Sequence, residues 1–296
     1  RGTDQEVICD CLGVSRQTWS LRCAWFLASP PTPQEIAVLF PLSCMSPGSV
    51  WVYAYDGKWV GRSPVLIIHR DVTHKEILWW SVARSESRSA VHEDLVTLCA
   101  TFSPTLPCGA VTDGKPGIGV LIKTVFHLAA LQRCTVHITR EVKMLLPRYS
   151  PLPATQALRA IALTLCTIRT EADRTAFFLS LVLWEQEYGA LLKQRTIPPK
   201  DSGVKRTWWY THGNLRRAWK LLNLHPATLF AFLDNPCVPA TNNSLEGVNR
   251  HLHRRAGMGK GRQISFMLWK LALSRITTQA QKKQLWDMWK HRLYHS

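Results

Sequence analysis

VWVYAYD (residues 50–56), PVLIIHR (64–70) and EILWWSVA (76–83) are three short runs rich in β-branched and aromatic residues, separated by the turn-forming stretches DGKWVGRS and DVTHK. Side chains of this kind fit a pleated, half-buried surface, and their spacing predicts a three-stranded meander. Working outward, residues 89–102 read as a helix, and AVTD forms a short run ending at Asp113. GKPGIGVLIKTVFHLA then reads as a turn and helix, and LQRCTVHI (131–138) as a further strand. A meander followed by alternating helix and strand predicts an α/β fold with a mixed sheet flanked by helices. Beyond Pro147 the strand pattern stops: residues 154–195 and 207–235 carry Leu, Ala and Trp at three- and four-residue spacing, the period of a helix.

On the N-terminal side, residues 3–28 read as a helix-turn-helix. Thr3 and Glu6 fit a capping box, Gly13 supplies the turn, and Ser15 caps a second helix with Trp19, Cys23 and Phe26 on its inner face. Arg16, Gln17, Ser20 and Arg22 are left outside, and side chains of that type can hydrogen-bond base edges in a major groove. A plain helical hairpin with solvated polar residues is the structural alternative. SPPTP (29–33) cannot continue a helix, and a second Pro/Gly/Ser patch at 41–49 makes residues 29–48 a linker.

Charge narrows the partner. The chain of 296 residues has a formal net charge of +17, and from Lys205 onward sixteen Lys/Arg face only Asp234, Glu246 and Asp287. Such an excess favours a polyanion, because phosphate neutralisation releases condensed counterions. Nucleic acid fits better than membrane, since no uninterrupted apolar run reaches the eighteen residues or more of a spanning helix. The chain begins at Arg1 without Met or a signal-like segment and reads as lacking its natural start. Nine cysteines without CxxC pairing argue against a disulfide scaffold and for a reducing compartment.

Three acids then stand out. Asp56 ends the first predicted strand and Asp113 a later one, and strand ends in α/β sheets face the crevice where ligands bind. Glu246 lies in PATNNSLEGVNRHLHRRAGMGKGR (239–262). On a helix starting near Asn243, Leu245, Val248 and Leu252 form an apolar stripe, while Glu246, Asn249, Arg250 and His253 share another face. Carboxylates that leave room for water and phosphate suit Mg2+ or Mn2+, and a pair of such ions can assist in-line phosphoryl displacement. Taken singly, each aspartate also fits a turn, Asp-Gly being a common hairpin dipeptide, and Glu246 fits an ion pair with Arg250. Asp71 is the rival first acid, and Glu86 reads as a solvated turn acid or a group behind the site. Trp208, Trp209 and Tyr210, with Arg206, His212, Arg216 and Arg217, mix aromatics and cations as DNA-binding surfaces do. Gly257, Gly259 and Gly261 read as the end of the Glu246 helix followed by a basic loop. The tail from residue 279 places Leu285, Met288, Trp289 and Leu293 on one face, for docking on the domain or joining protomers.

DGKWVGR, VTDGKPGI, LQRCTVH and TNNSLEGVNRHLHRRAGMG, in this order and preceded by LGVSRQT, resemble the bacterial insertion-sequence transposases related to the eukaryotic Mutator superfamily. The resemblance covers nearly the whole chain. It implies an RNase H-like catalytic domain, with Asp56, Asp113 and Glu246 as a DDE triad holding two Mg2+ (or Mn2+) ions. It implies an all-helical insertion between the second and third acids, and Cys134 and His137 match a CxxH motif that recurs after the second acid. Those two residues are read as packing and orienting groups, because a structural zinc site needs four ligands. The implied organisation is a truncated helix-turn-helix (1–28), linker (29–48), first part of the catalytic core (49–147), helical insertion (148–238), and second part with basic C-terminal helices (239–296). The implied partners are terminal inverted repeats and target DNA, contacted by Arg16, Gln17, Ser20, Arg22, Arg216, Arg217, Asn249, Arg250, His253, Arg254, Arg255, Lys260 and Arg262. A dimer or higher oligomer in the bacterial cytoplasm, associated with the nucleoid, follows from the same resemblance. A regulatory DNA-binding protein that does not cut, or a metal-dependent nuclease that does not join strands, are the competing readings.

Overall fold

A computed structural model describes residues 5–127, 130–199, 203, 205–252 and 260–295. In chain order the elements are helices α1 (Gln5–Leu12), α2 (Arg16–Ala28) and α3 (Pro33–Leu39), then strands β1 (Val52–Trp59), β2 (Val65–Asp71) and β3 (Glu76–Ala83). Next come α4 (Arg88–Phe102), β4 (Gly109–Thr112), α5 (Ile118–Phe126), β5 (Leu131–Arg133), α6 (Thr135–Leu145), α7 (Pro153–Thr164) and α8 (Glu171–Tyr188). The two-residue strands β6 (Arg195–Thr196) and β7 (Trp209–Tyr210) precede α9 (Gly213–Asn223), α10 (Ala231–Asp234), α11 (Asn243–Leu252), α12 (Lys260–Ser274) and α13 (Gln279–His295). The fold is α/β with strand pairing of both kinds, antiparallel through β1, β2 and β3 and parallel between β4 and β5. The chain divides into two compact units, Arg1–Thr105 with Ser244–Ser296, and Leu106–Asn243.

The first unit is built on the meander. β2 pairs with β1 on one side and β3 on the other, and every residue of it is buried, so this middle strand of the meander is covered on both faces. One core joins Ala54, Leu66, Ile68 and Trp80 of the strands to Ile36 and Phe40, to Leu245 and Leu252 of α11, and to Leu285 and Trp289 of α13. The C-terminal helix therefore docks on this unit, with the Trp289 indole N–H donating to Ser29 O at 3.2 Å.

The segment expected as a linker is ordered and packed instead. Thr32 and Glu35 make a reciprocal capping box, Pro33 occupies the first turn of α3, and Ile36 is only 1% exposed. Proline breaks a helix interior but is well suited to a first turn, which reconciles SPPTP with a helix that starts inside it. Arg275 adds a strap, pairing with Glu76 at 3.2 Å and donating to Phe40 O.

The N-terminal pair is two helices joined at Gly13, whose φ of +61° suits glycine, and Ser15 caps α2 by accepting from Thr18 N at 3.1 Å. The proposed cap at Thr3 lies outside the described residues.

The second unit contains β4, β5 and the helices from α5 to α10. Ile138, Val142 and Leu145 of α6 share a single core with Leu158, Phe177, Trp184, Leu215 and Phe230 of the later helices. LQRCTVHI divides: only residues 131–133 are strand, and Thr135 opens α6. The β-branched residues of TVHI mimic a strand, but Ile138, Val142 and Leu145 recur at the helical period and win through burial. The expected all-helical segment also carries one small hairpin, β6–β7.

Ile36 tests the packed reading of residues 29–48. Ile36→Ala is expected to cost about 2–5 kcal/mol as a large-to-small core change, read as a lower urea midpoint; an unchanged midpoint would return the segment to linker status.

Candidate active site

Asp56 lies inside β1 rather than at its end. Pairing continues through Gly57↔Ile67 and Lys58↔Leu66 to Trp59↔Val65, so the Asp-Gly dipeptide read as a hairpin turn is strand. Alternation along a strand then assigns faces. Ala54, Asp56 and Lys58 share one face, and Tyr55 and Gly57 the other. Ala54 is buried in the core that includes Leu245 and Leu252, so Asp56 emerges on the α11 side. There Asn249 Nδ2 donates to Asp56 Oδ2 at 2.6 Å, although the two residues are 193 apart in sequence. Glu246 stands one turn before Asn249 on the same helix, at the i, i+3 spacing that shares a face.

The other face explains Glu86. Tyr55 donates its hydroxyl to Glu86, and a Cβ on Gly57 would come within 2.4 Å of the Glu86 carboxyl carbon. A Cβ at Gly57 would therefore push the Glu86 carboxyl aside, on the face opposite Asp56. Asp71 is fully buried and accepts from His74 N at 3.1 Å and His74 Nδ1 at 2.6 Å, which makes it a structural acid. Two groups escaped sequence reasoning. Lys58 stands beside Asp56: partial burial pushes its pKa down, and the Asp56 charge pulls the other way. Asp94 closes a buried network, accepting from His69, Trp79 and Ser81, and nothing in its helical context distinguishes it from a surface acid.

Asp113, in the second unit, follows β4 directly and accepts from Lys115 N at 3.0 Å, an Asx-type turn that fixes its carboxyl. It lines a cavity of about 460 Å³ with His137, Arg140, Glu141, Met144 and Arg217. Cys134 is fully buried ahead of α6, and its sulfur accepts Asn242 N–H at 3.2 Å. Thr135 N reaches Ala240 O at 3.1 Å, so the start of α6 is tied to the chain just before α11. The Cys134–His137 pair therefore works as an anchor and a cavity wall.

The proposed DNA contacts differ in what their side chains are doing. Arg16 and Gln17 are exposed, with Arg16 paired to Glu6, and Ser20 is half-buried. Arg216 is committed internally, its guanidinium 4.1 Å over the Tyr210 ring and donating to Leu192 O at 2.9 Å. Arg217 is exposed and belongs to the Asp113 cavity. The side chains of Arg22, Arg250, Lys260 and Arg262, and all of His253, Arg254, Arg255, Gly257 and Gly259, lie outside the described residues.

Among the described residues, no three His, Cys, Asp or Glu side chains gather as a metal-holding cluster. Oxygen donors of the kind a hard cation takes stand together here: among the described residues Asn249 Oδ1 is buried without a hydrogen-bond partner, on the amide whose Nδ2 donates to the Asp56 carboxylate. No helix among the described residues is long and apolar enough to cross a membrane, and no disulfide joins any of the nine cysteines.

Residues 67–172 match the family model described as Transposase, Mutator family. The matched stretch contains Asp113, Cys134 and His137 but neither Asp56 nor Glu246. No curated protein matches the chain.

The Asn249–Asp56 contact is a charge-assisted bond, worth about 1.5–3 kcal/mol. A double-mutant cycle of Asn249→Ala and Asp56→Ala, followed by urea unfolding, is expected to show coupling of that size. Additive single effects would mean that the pair does not form.

Proposed function

We propose, from the match of residues 67–172 to the Mutator-family transposase model, that the chain is a transposase of this kind, which binds the ends of an insertion sequence, cleaves DNA there and joins the freed 3′ ends to target DNA. The family match carries the transposase reading. The finer assignment is a DDE triad of Asp56, Asp113 and Glu246 on an RNase H-like core, with the helices after α6 as an insertion. It is supported by the Asn249–Asp56 bond, which docks the Glu246 helix on the strand of the first acid. Asp113 directly follows β4, in keeping with its assigned role at a strand end.

Asp56, Asp113 and Glu246 would hold two Mg2+ or Mn2+ ions, which supply charge stabilisation for phosphodiester hydrolysis and strand transfer. Asn249 holds the Asp56 carboxylate in position through Nδ2. Its Oδ1, buried without a hydrogen-bond partner among the described residues, is available to a further polar group. Lys58, on the same face of β1 as Asp56, offers a cation to a phosphate oxygen. In the Asp113 cavity, Arg140 and Arg217 can bind phosphate. Arg16, Gln17 and Ser20 on α2 would read the terminal repeat, and pairing of two ends calls for a dimer or larger assembly, acting on the bacterial nucleoid.

Asp113→Asn should leave binding to end DNA nearly unchanged and abolish Mg2+-dependent nicking; full nicking by that variant would sink the triad. In the same assay, wild-type protein should join a cut end to a second duplex, whereas cutting without joining would make it a nuclease. Binding should weaken steeply as salt rises.

A further inference from the structure

The second unit has a second cavity, of about 730 Å³, on a different wall from the one that holds Asp113. Thr112, Gly114 and Lys115 line it while Asp113 between them lines the other, so one turn after β4 serves both. Lys115, Lys123, His127, Arg133 and His225 supply its polar wall, and no Asp or Glu among the described residues lines it. Val120 and Leu131 contribute apolar surface. Lys123, His127 and His225 are exposed, with their heads accessible to a ligand.

Arg133 builds the wall. Its Nε donates to Thr228 Oγ1 at 2.8 Å, and its Nη2 donates to Leu224 O at 2.7 Å and His225 O at 3.3 Å. Burial pushes its pKa down, with Glu141 opposing, but its bonds to the chain remain those of a guanidinium. These bonds hold the turn that carries His225, whose φ of +60° is in the left-handed region; His127, on the same rim, has a φ of +49°. Both left-handed residues end helices, His127 capping α5 and His225 following the cap of α9, so two helix ends place their histidines at this cavity. Most of the lining surface is apolar, while Lys115, Lys123 and the two histidines stand at an open mouth; a phosphodiester strand can meet that rim with its phosphates and the apolar wall with its sugars.

We propose that this cavity is a second DNA-backbone site, which holds phosphates flanking the position served by Asp113. It rests on the transposase reading and adds a binding surface that the catalytic acids do not require.

The test measures end-DNA binding by fluorescence anisotropy across a salt series, for the wild type, Lys123→Glu, Lys123→Gln and the surface control Lys193→Glu. Loss of a phosphate contact should lower the magnitude of the salt slope by about 1 in both Lys123 variants, uniformly across DNA sequences, with an unchanged melting temperature. The Lys193 variant should keep the wild-type slope. Equal slopes for the Lys123 variants and the wild type would overturn the proposal. So would a deoxynucleoside monophosphate that binds the wild type and loses its affinity in Lys123→Glu while end-DNA binding stays intact, since that marks a small-ligand pocket. Mg2+-dependent nicking by the Asp113→Asn variant separately reports failure of the catalytic reading, so the two results can be told apart.

Discussion

Burial of Leu245 and Leu252 is the constraint on which the first unit depends. Both are nearly inaccessible and share a core with Ala54, Ile68 and Trp80. That stripe fixes the rotation of α11 about its axis, because an amphipathic helix has one orientation that buries its apolar face. Once the orientation is set, Asn249 meets Asp56 and Glu246 lies one turn away on the same helix. Hydrophobic packing thus decides where the polar groups stand. Each fully buried leucine contributes about 1.5–3 kcal/mol by removal of apolar surface from water, comparable with the hydrogen bond it positions.

Much of this could be read from the sequence because it depended on local periodicity. The meander appeared where alternation and β-branching coincided, and the α11 stripe followed from residue spacing alone. Readings failed where a local cue had two meanings. SPPTP reads as a linker unless Thr32 and Glu35 are recognised as a box around Pro33. Asp56-Gly57 reads as a turn unless the partner strand is known to extend past it. TVHI reads as strand until α6 is seen to bury Ile138 with Val142 and Leu145. The roles of Lys58, Glu86 and Asp94 depend on which faces pack together, and that is a tertiary property.

The cations divide in the same way. A count of Lys and Arg points to a polyanion, but it cannot separate a guanidinium facing solvent from one spent on carbonyls. Arg216 donates to a main-chain oxygen and lies over the Tyr210 ring. Arg275 ties α12 to the chain after α3. Subtracting such residues leaves fewer cations for DNA than +17 suggests, and these are the ones whose positions matter.

In the Asp113 cavity acids and arginines stand together, as the proposed role of Asp113 would require. A carboxylate suited to a divalent cation also repels the phosphate on which that cation would act. Two unit charges 4 Å apart interact by about 4 kcal/mol at an effective dielectric of ~20, so acids alone would oppose substrate approach. In the proposed site, Arg140 and Arg217 on the same walls as Asp113 and Glu141 would offset that repulsion. Arg217 comes from α9 and Arg140 from α6, whereas Asp113 follows β4. The charge balance is therefore assembled by the shared core of α6 and α9, through Val142, Leu145 and Leu215. Loosening that core would disturb the electrostatics of the cavity without touching a charged residue.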